Sequence, residues 1–432
     1  MIFVYKLLGI LLYPFLILLT YVRIFLKKED PIRYKEKIFS NSFNIKKNIH
    51  KIIWFHAASI GEFKSILPIM SQLNIEENDY HFLITTTTLS SAKLAAKELL
   101  EMKNVTHRFF PYDVIFLIQK FLINWSPKVI FLVDSEIWPN LILESKKKNI
   151  PLVLLNARLT KKSFRRWLIF RGVAKKIFSN FNLCISSSSK TQNYLEKLGA
   201  KNIYYYGNLK LIASLDKKNL NNINEQFLLR NNFWFAASIH AGEELFCLKT
   251  HMELKKKHPK IKTIIAPRHL EKVASIESLC KILELKIQIL NEEELIKEGK
   301  EIIIINSFGI LNQYYKYAKS VFIGKSLLKK FTNSGGQNPI EAAKLGCKIY
   351  HGQYTANFQE IYEILKEKKI ARQVISFSDL SKNLDDDFNN LTNDTNDISK
   401  TIDNLGDKTL NDTMNKINYI ISDAIKSAKI LV

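Results

Sequence analysis

Glycine and proline are scarce in this chain, 14 and 10 among 432 residues, which excludes a collagenous, low-complexity or linker-dominated protein. Its cysteines, Cys184, Cys247, Cys280 and Cys347, are widely spaced and form no C-x-x-C pair. A disulfide scaffold is thereby excluded, and buried free thiols in a reducing compartment are expected. No H-E-x-x-H occurs and the histidines are scattered, so no metal site is expected. A G-x-G-x-x-G fingerprint is missing, and Gly324-Lys325-Ser326 fails as a P-loop end because Lys319 stands where the leading glycine belongs. Dehydrogenase and P-loop ATPase readings fall with them. Negative charge is also short: 64 Lys+Arg face 41 Asp+Glu, a net charge of +23, which calls for an anionic partner such as phosphate, nucleic acid or a lipid surface. Basic and aromatic residues interleave at Phe164-Arg165-Arg166-Trp167, but with no nucleic-acid-binding motif nearby nucleic acid is not the expected partner.

What the chain does have begins at its amino terminus. Leu7 to Val22 carries no charge and is bounded by Lys6 and by Arg23, Lys27 and Lys28. Such a run seeks a membrane, although it is slightly short of the roughly 20 residues that span a bilayer and contains Pro14, so spanning and lying in the interface both remain open. No small-residue cleavage site follows, and the heavier basic flank comes after the run, which predicts a retained anchor over residues 1–28 with the rest of the chain cytoplasmic. Arg33, Lys35, Lys37, Lys46 and Lys47 add to an expected attraction to anionic head groups.

Beyond Lys47, short β-branched runs alternate with helical stretches: KIIWFHA, HFLITTT and KVIFLVDSE, then again FWFAAS, KTIIAPR and SVFIGKS. This alternation predicts an α/β protein of two doubly wound, Rossmann-like domains with a cleft between them. Polar Lys217–Asn224 is the expected linker, dividing residues 29–216 from 217–432. The acidic, Asn-rich stretch from Ser378 to Asp407 reads as a poorly ordered surface segment, followed by a closing helix over Leu410 to Ala428.

In open parallel sheets ligands collect at the carboxyl ends of strands, and polar residues gather there in four places. His56-Ala-Ala-Ser-Ile-Gly-Glu62 offers a carboxylate able to act as general base, although Ser59 and Glu62 also satisfy a capping box. Asp134 and Glu136 end a hydrophobic run before Pro139 and, read as strand residues, share a face; Asn156 and Arg158 follow the next run. In the second half, Ser238, His240, Arg268 and His269 suit a phosphate, which Arg268 can grip bidentately. Ser334-Gly-Gly-Gln-Asn-Pro-Ile-Glu341 is expected to offer free backbone amides ahead of a helix begun by Asn338, Pro339 and Glu341.

Taken in order, ASIGE, DSEIWPNLI, NARLTKKS, GNLK, SIHAGEE, APRH, GGQNPIE and Ala356-Asn357-Phe358 resemble the 3-deoxy-D-manno-octulosonic acid (Kdo) transferases. The resemblance implies a GT-B fold and transfer of Kdo from CMP-Kdo to the lipid A precursor lipid IVA at the cytoplasmic face of the inner membrane, without a cofactor. It implies Glu62 as catalytic base, and Asp134 and Lys210, with Glu136 nearby, as groups that stabilise the transition state. It further implies Pro267, Arg268, Phe308, Gly309, Ile310, Gly336, Asn338, Pro339, Ile340 and Glu341 as CMP-binding residues. The family usually has Glu where this chain has Asp134, and His where it has Gln337. Two other readings fit the same fold: a soluble nucleotide-sugar epimerase, and a non-catalytic lipid-binding relative.

Overall fold

A computed structural model of the chain describes residues 1–43, 51–76, 79–100, 102–213, 215, 220–389 and 394–430. Lys46, Lys47 and residues 217–219 of the expected linker lie outside them. The chain forms two compact units: residues 1–214 together with 405–432, and residues 215–404.

In the first unit, β1 (Ile52–His56), β2 (His81–Thr86), β3 (Val105–Phe109), β4 (Val129–Val133), β5 (Leu152–Ala157), β6 (Leu183–Ser186) and β7 (Ile203–Tyr205) make a sheet ordered β3-β2-β1-β4-β5-β6-β7. Its pairings are parallel. The runs IIWFH and VIFLV are buried throughout, as strands covered on both faces must be, which is why they read as unbroken hydrophobic segments. On one face Trp54, Ile130 and Leu154 pack against the Ile115–Trp125, Pro139–Lys147 and Arg171–Phe178 helices. On the other, Phe55 stacks on Phe131 at 4.6 Å under Phe63, Ile66 and Met70 of the Ile60–Glu76 helix. Fully buried side chains of this size contribute about 1.5–3 kcal/mol each.

The second unit repeats the plan. β8 (Phe233–Ile239), β9 (Lys262–Pro267), β10 (Ile287–Leu290), β11 (Ile302–Ile305), β12 (Ser320–Ile323), β13 (Lys348–His351) and β14 (Ala371–Gln373) form a sheet ordered β10-β11-β9-β8-β12-β13-β14, again paired in parallel. Two doubly wound α/β units and an amino-terminal apolar helix are thus the architecture that the alternating runs predict.

Two expectations need correction. The described residues of Ser378 to Asp407 do not form a loose surface segment: they belong to helices at Phe377–Asn389 and Asp394–Ile430, and residues 390–393 lie outside the described residues. Leu380 and Leu384 enter the core of the second unit. The acids have partners inside that unit, since Asp387 accepts from Ser320 Oγ at 2.6 Å, Tyr350 OH at 2.6 Å and Lys348 Nζ at 2.7 Å. The second correction concerns the division at 217–432. Met414, Ile417 and Ile421 of the closing helix pack on Ile53, Phe82 and Val129, so residues 405–432 belong to the first unit. Gly207 shows how tightly: at φ +118° a Cβ there would stand 2.3 Å from Thr409 Oγ1.

The amino-terminal helix runs continuously over Ile2–Phe25 through Pro14, long and apolar enough to cross a membrane by length and composition. It does not stand clear of the first unit. Tyr5 OH donates to Asp113 Oδ2 at 2.9 Å, Lys6 Nζ to Glu144 Oε1 at 3.2 Å, and Thr20 Oγ1 meets Tyr112 OH at 2.8 Å.

Candidate active site

At the carboxyl edge of the first sheet, β1 ends in His56 and the chain turns through Ala57-Ala58-Ser59 into the Ile60–Glu76 helix. Glu62 Oε2 accepts the Ala58 N–H at 2.7 Å and Oε1 accepts the Ser59 hydroxyl at 2.8 Å. The capping box is therefore formed, and it is also what aims the carboxylate. Glu62 is half-buried. Burial, reinforced by the Asp134 and Glu136 carboxylates, pushes it up to about 6 despite the opposing hydrogen bonds from Ser59 and Ala58. A carboxylate poised there is well placed to accept a proton near neutrality.

Asp134 and Glu136 reach Glu62 by a route other than shared strand alternation. β4 stops at Val133, and Asp134 adopts a left-handed φ of +64°, so the pair lies on a turn. Asp134 instead turns to Lys210, whose Nζ donates to Oδ2 at 2.9 Å. That lysine sits on a 3-10 turn, Leu209–Ile212, capped by Asn208. The turn is held in place by Asn156, itself at φ +49° in the β-bulge between β5 and β6, whose Oδ1 accepts the Leu209 N–H at 2.9 Å.

Glu136 is fixed by residues to which sequence reasoning gave no role. Its Oε2 accepts Trp138 Nε1–H at 2.8 Å and lies 3.2 Å from His56 Nε2. His56 is fully buried against Phe110, ring centroids 4.0 Å apart, and its Nδ1 is 3.0 Å from Thr85 Oγ1, which accepts from Trp54 Nε1 at 2.8 Å. Nδ1 also lies 3.1 Å from the Thr85 carbonyl oxygen, so the ring is held at both nitrogens, by Thr85 on one side and Glu136 on the other. The only signal for this chain in the sequence is that His56 opens the HAASIGE block.

In the second unit the expected donor residues cluster at the carboxyl edge of its sheet but divide by exposure. Arg268, Phe308, Gly309 and Asn338 are exposed, Ile310 and Glu341 half-buried, and Pro267, Gly336, Pro339 and Ile340 buried. The Arg268 backbone is anchored by its N–H to Ile239 O at 2.9 Å. Arg268 follows β9 as His240 follows β8 and Lys325 follows β12; the His240 and His269 rings stand 5.5 Å apart, and burial holds His240 below the ordinary imidazole range.

The GGQNPIE loop departs from expectation. Its glycine amides are not free: Gly335 N–H bonds to Phe331 O at 2.7 Å and Gly336 N–H to Lys325 O at 2.8 Å. Gly335 and Gly324 are required by close backbone packing, since a Cβ would stand 2.3 Å from Tyr354 O and 2.4 Å from Ser238 O respectively. The following helix, Ile340–Lys344, has Pro339 as its cap residue, one position later than expected, with Asn338 Oδ1 accepting the Ile340 N–H at 3.1 Å.

Glu243, within the SIHAGEE block, is the other residue sequence reasoning passed over. Fully buried, it accepts the N–H groups of His240 (3.0 Å), Lys325 (2.7 Å), Ser326 (2.8 Å) and Leu327 (3.0 Å), tying the loop after β8 to the loop after β12. Glu243→Ala leaves four amides without their acceptor and is expected to destabilise the second unit by about 3 kcal/mol or more. Urea denaturation that leaves the midpoint unmoved would contradict this.

Two doubly wound units, each with its polar residues at the carboxyl edge of a parallel sheet, define the GT-B class shared by nucleotide-sugar epimerases and glycosyltransferases. Solved structures of this fold include a putative UDP-N-acetylglucosamine 2-epimerase from Listeria monocytogenes (13% identity, 88% of this chain and 98% of that one, TM-score 0.59). A glycosyltransferase from Rickettsia africae is similar (13%, 88% and 100%, 0.56). Sequence comparison narrows the class. Residues 33–213 match the family described as 3-deoxy-D-manno-octulosonic-acid transferase (kdotransferase). The chain is 30% identical over 379 residues to the 3-deoxy-D-manno-octulosonic acid transferase of Rickettsia bellii, covering 87% of this chain and 88% of that one. It is 30% identical over 333 residues to the enzyme of the same description from Haemophilus influenzae, 76% of each chain. The chain belongs to the Kdo transferase family and is a glycosyltransferase.

Proposed function

We propose that this protein transfers Kdo from CMP-Kdo to a hydroxyl of the lipid A precursor lipid IVA, inverting the anomeric centre, at the cytoplasmic face of the inner membrane. The observation that carries the reading is the Glu62 carboxylate, held up to about 6 by burial and by Asp134 and Glu136. As the acceptor oxygen attacks the anomeric carbon, its proton passes to Glu62, and the bond from that carbon to the CMP phosphate oxygen breaks with its electron pair. The Lys210 ammonium, held in place by Asp134, offers N–H donors to charge that develops at the reacting groups, and Arg268 takes the phosphate of departing CMP. Phe308, Gly309, Ile310 and Asn338 to Glu341 shape the nucleotide site, the buried Pro267, Gly336, Pro339 and Ile340 through the loops they hold and Glu341 as a partner for the ribose hydroxyls. With Gly335 and Gly336 amides engaged within the fold, the phosphate rests on the guanidinium rather than on those amides.

Residues 1–28 serve as the membrane anchor, the first unit takes the lipid acceptor and the second the nucleotide sugar. Incubation of the purified protein with lipid IVA and CMP-Kdo should yield lipid heavier by one or more Kdo residues in a mass spectrum. Unmodified lipid, or epimerisation of a UDP-sugar by the same preparation, would overturn the proposal. Arg268→Ala should weaken CMP binding at least about tenfold by calorimetry, the scale of a lost bidentate charged contact. Unchanged affinity would remove Arg268 from the nucleotide site.

A further inference from the structure

The Lys161–Ile169 and Arg171–Phe178 helices meet in an elbow at Phe170, which ends the first and opens the second. The first helix buries none of its residues, and at its end Leu168, Ile169 and Phe170 are 36%, 72% and 47% exposed. Three consecutive exposed apolar side chains at a helical corner are costly in water unless something covers them. The corner is rigid from within, because Phe164 stacks on Tyr194 at 4.1 Å and Trp167 meets Phe178 edge-on at 5.2 Å. The apolar tip therefore projects from a fixed base.

Charge identifies what covers it. Arg165, Arg166 and Arg171 flank the tip within about a turn, Lys161 and Lys162 begin the same helix, and all five are exposed. From Ser145 to Leu195 the chain contains no Asp or Glu at all. A second copy of this chain seated on the elbow would bring these cations against themselves. An anionic bilayer satisfies both the apolar tip and the basic collar.

The amino-terminal helix lies on the same helical layer. Its Ile2, Tyr13 and Leu16 pack against the cluster that contains Ala174, Ile177 and Phe178 of the elbow's second helix. While Tyr5, Lys6 and Thr20 bind the first unit, Phe3, Leu7, Leu11, Phe15 and Leu18 stand exposed along the opposite side. A helix tied to a folded unit along its length offers one face to lipid, which is the geometry of an interfacial helix rather than a spanning one.

We propose that the elbow is a second lipid-contacting element: Leu168, Ile169 and Phe170 enter the head-group region of an anionic bilayer, their basic collar binds lipid phosphates, and the Ile2–Phe25 helix lies in the same interface. This rests on the membrane association proposed above and adds to it a second attachment point and an orientation.

The test uses the full chain. Its four native cysteines are buried, so Ile169→Cys can be labelled selectively with an environment-sensitive fluorophore. Vesicles of 3:1 phosphatidylcholine and phosphatidylglycerol should shift the emission to the blue, with quenching by brominated acyl chains. Pure phosphatidylcholine should give less, and high salt should weaken the response. The triple variant L168S/I169S/F170S should lose about tenfold or more in affinity for the anionic vesicles, while retaining native CMP binding and native turnover of detergent-dispersed acceptor. A spectrum that does not move, a triple variant that floats with vesicles as the native protein does, or a blue shift that appears on concentrating the protein without lipid would each overturn the proposal. Absence of transfer by the native protein in detergent would instead refute the reaction, leaving the vesicle result intact.

Discussion

Glu62→Gln is expected to reduce Kdo transfer by about 10²–10⁴-fold, the usual contribution of a positioned general base, with CMP affinity unchanged. The amide keeps the shape of the carboxylate and can still hold the Ala58 and Ser59 contacts, so the loss isolates proton transfer. The native enzyme should gain activity as pH rises through about 6, because only ionised Glu62 can take the acceptor proton, and this limb should vanish in the variant. Stability supplies an independent check with a definite sign. The folded group titrates near 6 against an ordinary 4.5, so its stabilising contribution is complete below the lower value and is lost as pH rises through the higher. At neutral pH ionised Glu62 thus costs about 2 kcal/mol. The Gln variant should melt above the native protein at pH 7.5 and level with it at pH 4. Equal melting at pH 7.5 together with an unaltered pH–rate profile would remove Glu62 from the role of base.

Lys210→Met is expected to lower transfer by about 10²–10³-fold, the scale of a lost electrostatic partner in a reacting centre. Its more informative effect is on pH dependence. Lys210 neutralises Asp134 at 2.9 Å, and Asp134 is the neighbouring charge that raises Glu62 most. Without the ammonium, that repulsion is no longer offset, and the acid limb should move up by about one pH unit. Lys210→Arg keeps the charge and should restore the limb even if the rate stays low. A limb that stays in place in the Met variant would show that the lysine does not act through Asp134.

The strands named in advance were legible because fully covered parallel strands leave unbroken runs such as VIFLV and IIWFH, and the polar residues just after them marked the carboxyl edges. Local geometry was harder to read. At Asp134 a left-handed φ of +64° ends the strand alternation by which two acids separated by one residue would share a face, a turn that non-glycine residues seldom adopt. The GGQNPIE loop misled for a related reason: its glycines are conformationally free, yet backbone packing rather than a ligand uses that freedom. Composition misled over Ser378 to Asp407, where helical spacing of Leu380 and Leu384 was the better guide than the acids around them. Asp387, Asp385 and their lysine, histidine and hydroxyl partners come from distant parts of the chain, so no local pattern announces them. Glu243 shares that difficulty, since three of its four amides lie about eighty residues away.

That single carboxylate has a consequence for how the nucleotide is met. Amides of Lys325, Ser326 and Leu327 clamped from below need no ordering when CMP-Kdo arrives, so little conformational entropy is surrendered on association. Their exchange with deuterium should be slow in the empty protein and scarcely slower once CMP is bound, leaving ligand-induced protection to exposed residues such as Phe308 and Gly309.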